Sequence, residues 1–256
     1  MTNVCFDGCS LTFGNGFDNH ERTKYLYDQI VADYFNFKKT NIAVPGSGNY
    51  EIFLRSANAI LEKKYQIVFI QWSALNRIWL SPGPEVFFNS HNAKFSDFTY
   101  RDLYITSKDT QKLKNLLLLL NHDYQNILDL IEYCAILCEL AKSCSIKLYF
   151  INGLVPWTQD LINPLSDNLS QSLSLYSKTI LDFDNRNDQE IIFYFSKLQE
   201  KFKSLDKEKW VNLFDSFESF SVDYANDDVH PGIESHKIMA EKIIKKLTQV
   251  DQKSES

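Results

Sequence analysis

A serine hydroxyl attacks a carbonyl only when a neighbouring base takes its proton, and the base works best when a carboxylate fixes its imidazole. Two short stretches near opposite ends of this chain carry those residue types. "FDGCSLTFGNGF", residues 6–17, sets Ser10 between a short apolar run and a glycine-rich turn. Gly8, Gly14 and Gly16 permit a tight backbone path there, one that presents both the Ser10 hydroxyl and its own N–H. A serine among glycines is also an ordinary turn former, so the chemistry depends on a histidine. His20, His91, His122 and His236 fall in expected helices or in an aromatic segment and read as surface or packing residues. His230 stands apart in "NDDVHPG", with Asp227 three residues upstream on a turn short enough for its carboxylate to reach the imidazole.

These two stretches meet only if the chain between them folds suitably. "NVCFD", residues 3–7, is expected as a strand, and "DNHERTKYLYDQIVADYF" as a helix capped by Asp18 with Glu21 three positions on. "NIAV" reads as a second strand, "PGSGN" as a turn, "NYEIFLRSANAILEKK" as a second helix and "QIVFIQW" as a third strand. A long apolar helical region, broken near Asn121, precedes a fourth strand in "IKLYFING", and "GIESHKIMAEKIIKKL" is an amphipathic terminal helix. Such alternation implies parallel strands joined by right-handed crossovers. Ser10 then lies just beyond the C-terminal end of the first strand, where ligands bind in open α/β sheets. Residues 1–248 are expected to form a single domain with a long aromatic loop insertion around 80–106, and 249–256 a disordered tail. Residues 155–220 give no clear pattern.

Composition excludes more than it assigns. The chain has 256 residues, 44% hydrophobic and 23% charged, with 19 Phe and 13 Tyr against 8 Gly. A net charge of -6 argues against a broad phosphate-binding surface, so nucleic acid is not an expected partner. The N-terminal residues do not form a signal segment, and no apolar stretch approaches the ~20 residues of a membrane span, which gives a cytoplasmic expectation. Five cysteines without a CxxC pair indicate neither a disulfide framework nor a zinc site, and Cys134 and Cys138 share a helix face. "GSGN" lacks the lysine of a phosphate loop.

"GCSLTFG", the glycine turn "PGSGN" and the late "DDVHPG" together resemble the SGNH (GDSL-type) hydrolase superfamily. The resemblance implies a three-layer α/β/α fold with a flavodoxin-like parallel sheet. It also implies a serine-dependent ester hydrolase, an acyl or acetyl esterase working through an acyl-serine, with no metal or organic cofactor. Ser10 becomes the nucleophile, His230 the general base and Asp227 its orienting acid, with Asp228 the alternative if the turn is shifted. The oxyanion donors carried over are the N–H groups of Ser10 and Gly46. The family's third donor, the asparagine of a GxND motif, has no match in "QWSALNR": Ser73 or Asn76 substitutes, or the donor is missing. Cys9 stands where the family has aspartate and reads as a small buried residue, the rival being that its thiol attacks. Trp72 and Arg77, just past the third strand, either line the substrate pocket or pack. The aromatic segment could hold an acyl chain, stack on a sugar or bury itself against a second subunit, which would make a homo-oligomer. The substrate class is a small-molecule or glycan ester. Two alternatives stay open: a glycan O-acyltransferase of the same fold, and a noncatalytic binding or assembly module that retains it.

Overall fold

A computed structural model describes residues 1–74, 123–154, 196–197, 200–213 and 215–254. Four strands, β1 (Asn3–Asp7), β2 (Lys38–Asn41), β3 (Ile67–Trp72) and β4 (Lys147–Asn152), pair in parallel in the order β2-β1-β3-β4. β1, β3 and β4 coincide with the apolar runs because they are covered on both faces, and a parallel sheet so covered selects continuous apolar sequence. β2 differs from expectation. Its ladder runs through "KKTN" rather than beginning at "NIAV", since a strand at the end of the sheet half-exposes its side chains and tolerates lysines. The apolar residues follow in extended continuation, with Ile42 N–H donating to Phe6 O at 2.9 Å and Val44 N–H to Gly8 O at 3.3 Å. Beyond β4, Trp210 bridges Phe150, Val211 N–H donates to Phe150 O and Phe217 N–H to Asn152 O, so residues 210–211 and 217 lie along the far edge of the sheet.

The register aligns Phe6, Phe69 and Tyr149 across β1, β3 and β4. Their rings stack on one face with centroids 4.9 and 5.2 Å apart, which uses part of the aromatic surplus. Among the described residues the helices flanking the sheet include α1 (Ser10–Phe13), α2 (Asn19–Tyr25), α3 (Tyr27–Phe35), α4 (Asn49–Leu61), α5 (Asp123–Ser143) and α6 (Ile233–Ser254). α3 and α6 pack together on the Phe6 side, where Tyr27 meets Phe6 edge-on, while α4 and α5 pack together on the opposite side. This is the three-layer α/β/α arrangement. Because β2 and β3 flank β1, the order of the sheet reverses at β1, and the crevice of such a sheet opens at the C-terminal ends of β1 and β3.

Two helix expectations change. Asp18 caps α2 with a complete capping box to Glu21, but the helix breaks at Leu26, whose ψ is 144°. Leu26 turns inward to pack with Phe17 and Ala225, and this distant burial outweighs the local helix pattern. The terminal helix also continues through Ser254 where a tail was expected, as "TQVDQKS" contains no glycine or proline to stop it. The aromatic segment 80–106, the helical start before Asp123 and residues 155–195 lie outside the described residues. Among the described residues no helix is long and apolar enough to cross a membrane.

α6 is anchored at both faces of its first turn. Asp223 accepts hydrogen bonds from Glu234 N–H, Ser235 N–H and Ser235 Oγ at 2.9, 2.8 and 2.6 Å. Partial burial works against the Asp223 charge, but these bonds prevail and hold its carboxyl below the ordinary range. One residue further, His236 is 1% exposed, lies parallel to the Tyr27 ring at 5.7 Å, and accepts Tyr27 N–H at Nδ1. Burial lowers its pKa from 6.5 to about 3, so it packs as a neutral ring. The stability it lends is present above about pH 6.5 and is lost as pH falls towards 3, because only the unfolded chain binds the proton in that window. His236→Gln, which keeps an acceptor without a titrating ring, should therefore show a smaller shift in urea midpoint between pH 7 and pH 4 than wild type.

Candidate active site

The backbone leaving β1 is held at Gly8. Its N–H donates to Asp7 Oδ1 at 2.7 Å, and its carbonyl accepts from Arg55 Nη2 at 2.9 Å as well as from Val44 N–H. A Cβ at this position would run into Thr12 Oγ1, so only glycine fits the approach. Cys9 is fully buried in the apolar core, as expected of a small packing residue. Ser10 follows as the first residue of α1 and is itself 1% exposed. Its carbonyl accepts from the N–H groups of Gly14 and Asn15, with Gly14 in the left-handed region at φ 81°. Thr12 steadies the turn further: its hydroxyl meets Tyr27 OH at 2.8 Å and donates to Gln71 Oε1 at 2.6 Å, and its carbonyl accepts from Asn41 Nδ2.

The second stretch folds as a closed loop. Tyr224 bridges Pro231, Ala225 N–H donates to His230 O at 2.8 Å, and Asp228 takes the left-handed conformation at φ 56° with its N–H on Ala225 O. Asp228 is therefore a turn residue, and the carboxylate facing the imidazole belongs to Asp227. Asp227 Oδ1 accepts from Val229 N–H and His230 N–H at 3.1 and 3.0 Å, while Oδ2 lies 2.6 Å from His230 Nδ1. Partial burial opposes the charge on Asp227, but the His230 amide and imidazole and the Val229 amide hold its carboxyl below the ordinary range. An ionised carboxylate only accepts, so Nδ1 carries a proton in this contact, and in the neutral tautomer the lone pair belongs to Nε2.

This loop rests on the turn that closes α1. Asn226 N–H donates to Gly16 O at 3.2 Å, and Asn226 Nδ2 reaches Glu21 Oε2 at 3.0 Å. Gly16 has φ 85°, and a Cβ on it would lie 2.6 Å from the Ala225 Cβ and 2.8 Å from Asp227 Cγ. The Asp227–His230 pair is thus seated on the segment that begins with Ser10. Among the described residues no hydrogen bond joins Ser10 Oγ to the imidazole.

The remaining expected residues divide. Gly46 sits at φ 79° in the turn after β2, and among the described residues neither its N–H nor that of Ser10 donates a hydrogen bond. Ser73, just past β3, is fully buried, its N–H held by Asn49 Oδ1 at 2.8 Å and its hydroxyl without a partner. Trp72 is corrected: it is 1% exposed, stacked on Phe150 at 5.8 Å, and belongs to the core rather than to a pocket wall. Asn76 and Arg77 lie outside the described residues.

Four residues escaped the sequence reading. Asn49 ties the turn after β2 to the end of β3, donating to Ser73 O and Ala74 O at 3.3 and 3.4 Å. Gln71 is buried in β3 with its Nε2 unpartnered, and Gly153 leaves room for it, since a Cβ there would lie 3.1 Å from Gln71 Cγ. Asp7 and Arg55 form an ion pair at 2.8 Å beneath Gly8. A lone acid in "NVCFD" and a lone arginine in "NYEIFLRSANAIL" were the available signals, each mute without the other.

No family model matches the chain, and no curated protein matches it. Solved structures do. It is similar to a putative lipolytic protein of the G-D-S-L family from Desulfitobacterium hafniense DCB-2, with 14% identity, a TM-score of 0.46, and 96% of this chain and 99% of that one covered. It is similar to TesA, at 10% identity and a TM-score of 0.48 over 96% and 98% of the chains. An acetyl xylan esterase from Geobacillus stearothermophilus shows 13% identity and a TM-score of 0.43 over 96% and 94%. At such identity and overlap these are likenesses only, and the fold rests on its own strand order.

Gly16→Ala should place a side chain against Asp227 in a backbone region that alanine avoids, and is expected to cost about 1–3 kcal/mol, read as a lower urea midpoint.

Proposed function

We propose that the protein is a serine-dependent ester hydrolase in which Ser10 attacks the ester carbonyl, His230 takes and returns the proton, and Asp227 orients the imidazole. The observation that carries this reading is the 2.6 Å Asp227–His230 pair, held in a loop that Gly16 seats against the α1 turn beginning at Ser10. Nucleophile and base thereby come from the two ends of the chain onto one edge of the sheet, the edge where an open α/β sheet binds its ligands. With Nδ1 donating to Asp227, Nε2 is the nitrogen left to act as base. The Ser10 proton moves to Nε2 as Oγ bonds to the carbonyl carbon. The same proton then passes to the leaving alkoxide as the tetrahedral species collapses to the acyl-serine. Water repeats the sequence and releases the acid. Nucleophile–base hydrogen bonds are commonly long in substrate-free sites and tighten on binding.

The developing oxyanion needs donors that are not otherwise engaged. The unused N–H groups of Ser10 and Gly46 supply two, and the unpartnered Ser73 hydroxyl supplies the third in place of the family's asparagine.

Fluorophosphonate labelling and p-nitrophenyl acetate hydrolysis test the assignment. Labelling is expected in wild type and not in Ser10→Ala, and Ser10→Ala and His230→Ala should each lower kcat by about 10⁴–10⁶-fold, with Asp227→Asn losing about 10⁴-fold. Well-folded wild type that neither labels nor turns over would overturn the reading. Ser73→Ala should lower kcat by about 10²-fold with KM nearly unchanged. A change confined to KM would remove Ser73 from the oxyanion site.

A further inference from the structure

The ion pair under Gly8 links two loops that the proposed chemistry needs in fixed relation. Arg55 reaches up from α4 with its side chain half-buried and distributes its planar donors over both loops. Nε and Nη2 donate to Asp7 Oδ1 at 3.1 and 2.8 Å, Nη2 also donates to the Gly8 carbonyl at 2.9 Å, and Nη1 donates to Ser47 Oγ at 2.9 Å. Asp7 is fixed from its other side by Ser56 Oγ at 2.8 Å on Oδ2. Gly8 stands two residues before Ser10, and Ser47 directly follows Gly46. One guanidinium therefore holds the peptide that leads into the nucleophile and the turn that presents the second N–H.

We infer that Arg55, anchored by Asp7, is a positioning residue that sets the Ser10 and Gly46 amides in register with each other. The inference rests on the serine-hydrolase reading of those amides. The fork geometry is what the task requires: a lysine ammonium in the same place is a point charge and cannot span an acid, a carbonyl and a hydroxyl in one plane. Donors displaced by a fraction of an ångström still admit substrate but stabilise the oxyanion less, so the defect belongs in kcat rather than KM.

Two variants test this without leaving a buried charge unpaired. Arg55→Lys keeps the charge beside Asp7 and loses the fork, and Ser47→Ala cuts only the link to the second loop. Both should lower kcat and the fluorophosphonate labelling rate, Arg55→Lys by about 10–100-fold and Ser47→Ala by less, with KM within about two-fold and thermal midpoint close to wild type for Ser47→Ala. The double variant should be no worse than Arg55→Lys alone, since the Ser47 link is already gone, whereas independent effects would multiply. Wild-type rates in both single variants would overturn the inference, as would a loss confined to KM, multiplicative losses, or losses that track the unfolded fraction. Failure of the hydrolase reading is distinguishable, because wild type then does not label at all. In that case hydrogen exchange decides: amide protection lost together over residues 6–12 and 44–49 in Ser47→Ala supports the clamp, and unchanged protection overturns it.

Discussion

A carboxylate and a guanidinium meeting at the end of β1 are the constraint from which the geometry of this site follows. Asp7 occupies the last position of a strand otherwise made of Asn, Val, Cys and Phe, and it is 1% exposed. Withdrawing a charge from water costs several kcal/mol per ion and is offset only when geometry is good and the remaining lone pairs are used. Here they are used: Arg55, Ser56 and the Gly8 amide all donate to Asp7. Burial pushes the Asp7 carboxyl upward while the arginine pulls it back. An apolar pair of similar volume would pack as well, but would not fix where the Gly8 carbonyl points. The charged pair therefore gives orientation more than stability.

The other anchors follow the same logic. A second buried acid, Asp28, receives Lys39 Nζ and Asn41 Nδ2, and Asn41 also donates to Thr12 O, so α1 is tied to the end of β2. Asn49 joins the next loop to the end of β3. The turns after β1 and β2 and the residues just past β3 are thus joined through polar side chains rising from strands or helices, while the late loop rests directly on the Gly16 turn. Rigid elements set the positions, and the loops inherit them.

Much of the frame was legible in the sequence because its causes are local. Apolar runs bounded by turns gave β1, β3 and β4, and the Asp18–Glu21 capping box marked the start of α2. The edge strand was shifted because hydrophobicity is a guide to burial, and β2 forms its ladder where burial is least. The break at Leu26 was invisible because it depends on Ala225, far along the chain. The site divides in the same way. Asp227 and His230 are three residues apart and their bond could be read from spacing. Arg55 meets Asp7 across 48 positions, Asn49 meets Ser73 across 24, and Thr12 meets Gln71 across 59. No periodicity encodes such meetings.

Seating the late loop on Gly16 has a consequence for biosynthesis. Asn226 touches Glu21 across 205 positions, and His236 touches Tyr27 across 209. A polypeptide emerging from the ribosome exposes Ser10 and its glycine turn long before the residues that cover them exist. The late loop and α6 therefore close over this segment only once nearly all of these residues have left the exit tunnel. Until then, the apolar surface that α6 will bury stays open to solvent, the condition under which a partly folded chain associates wrongly.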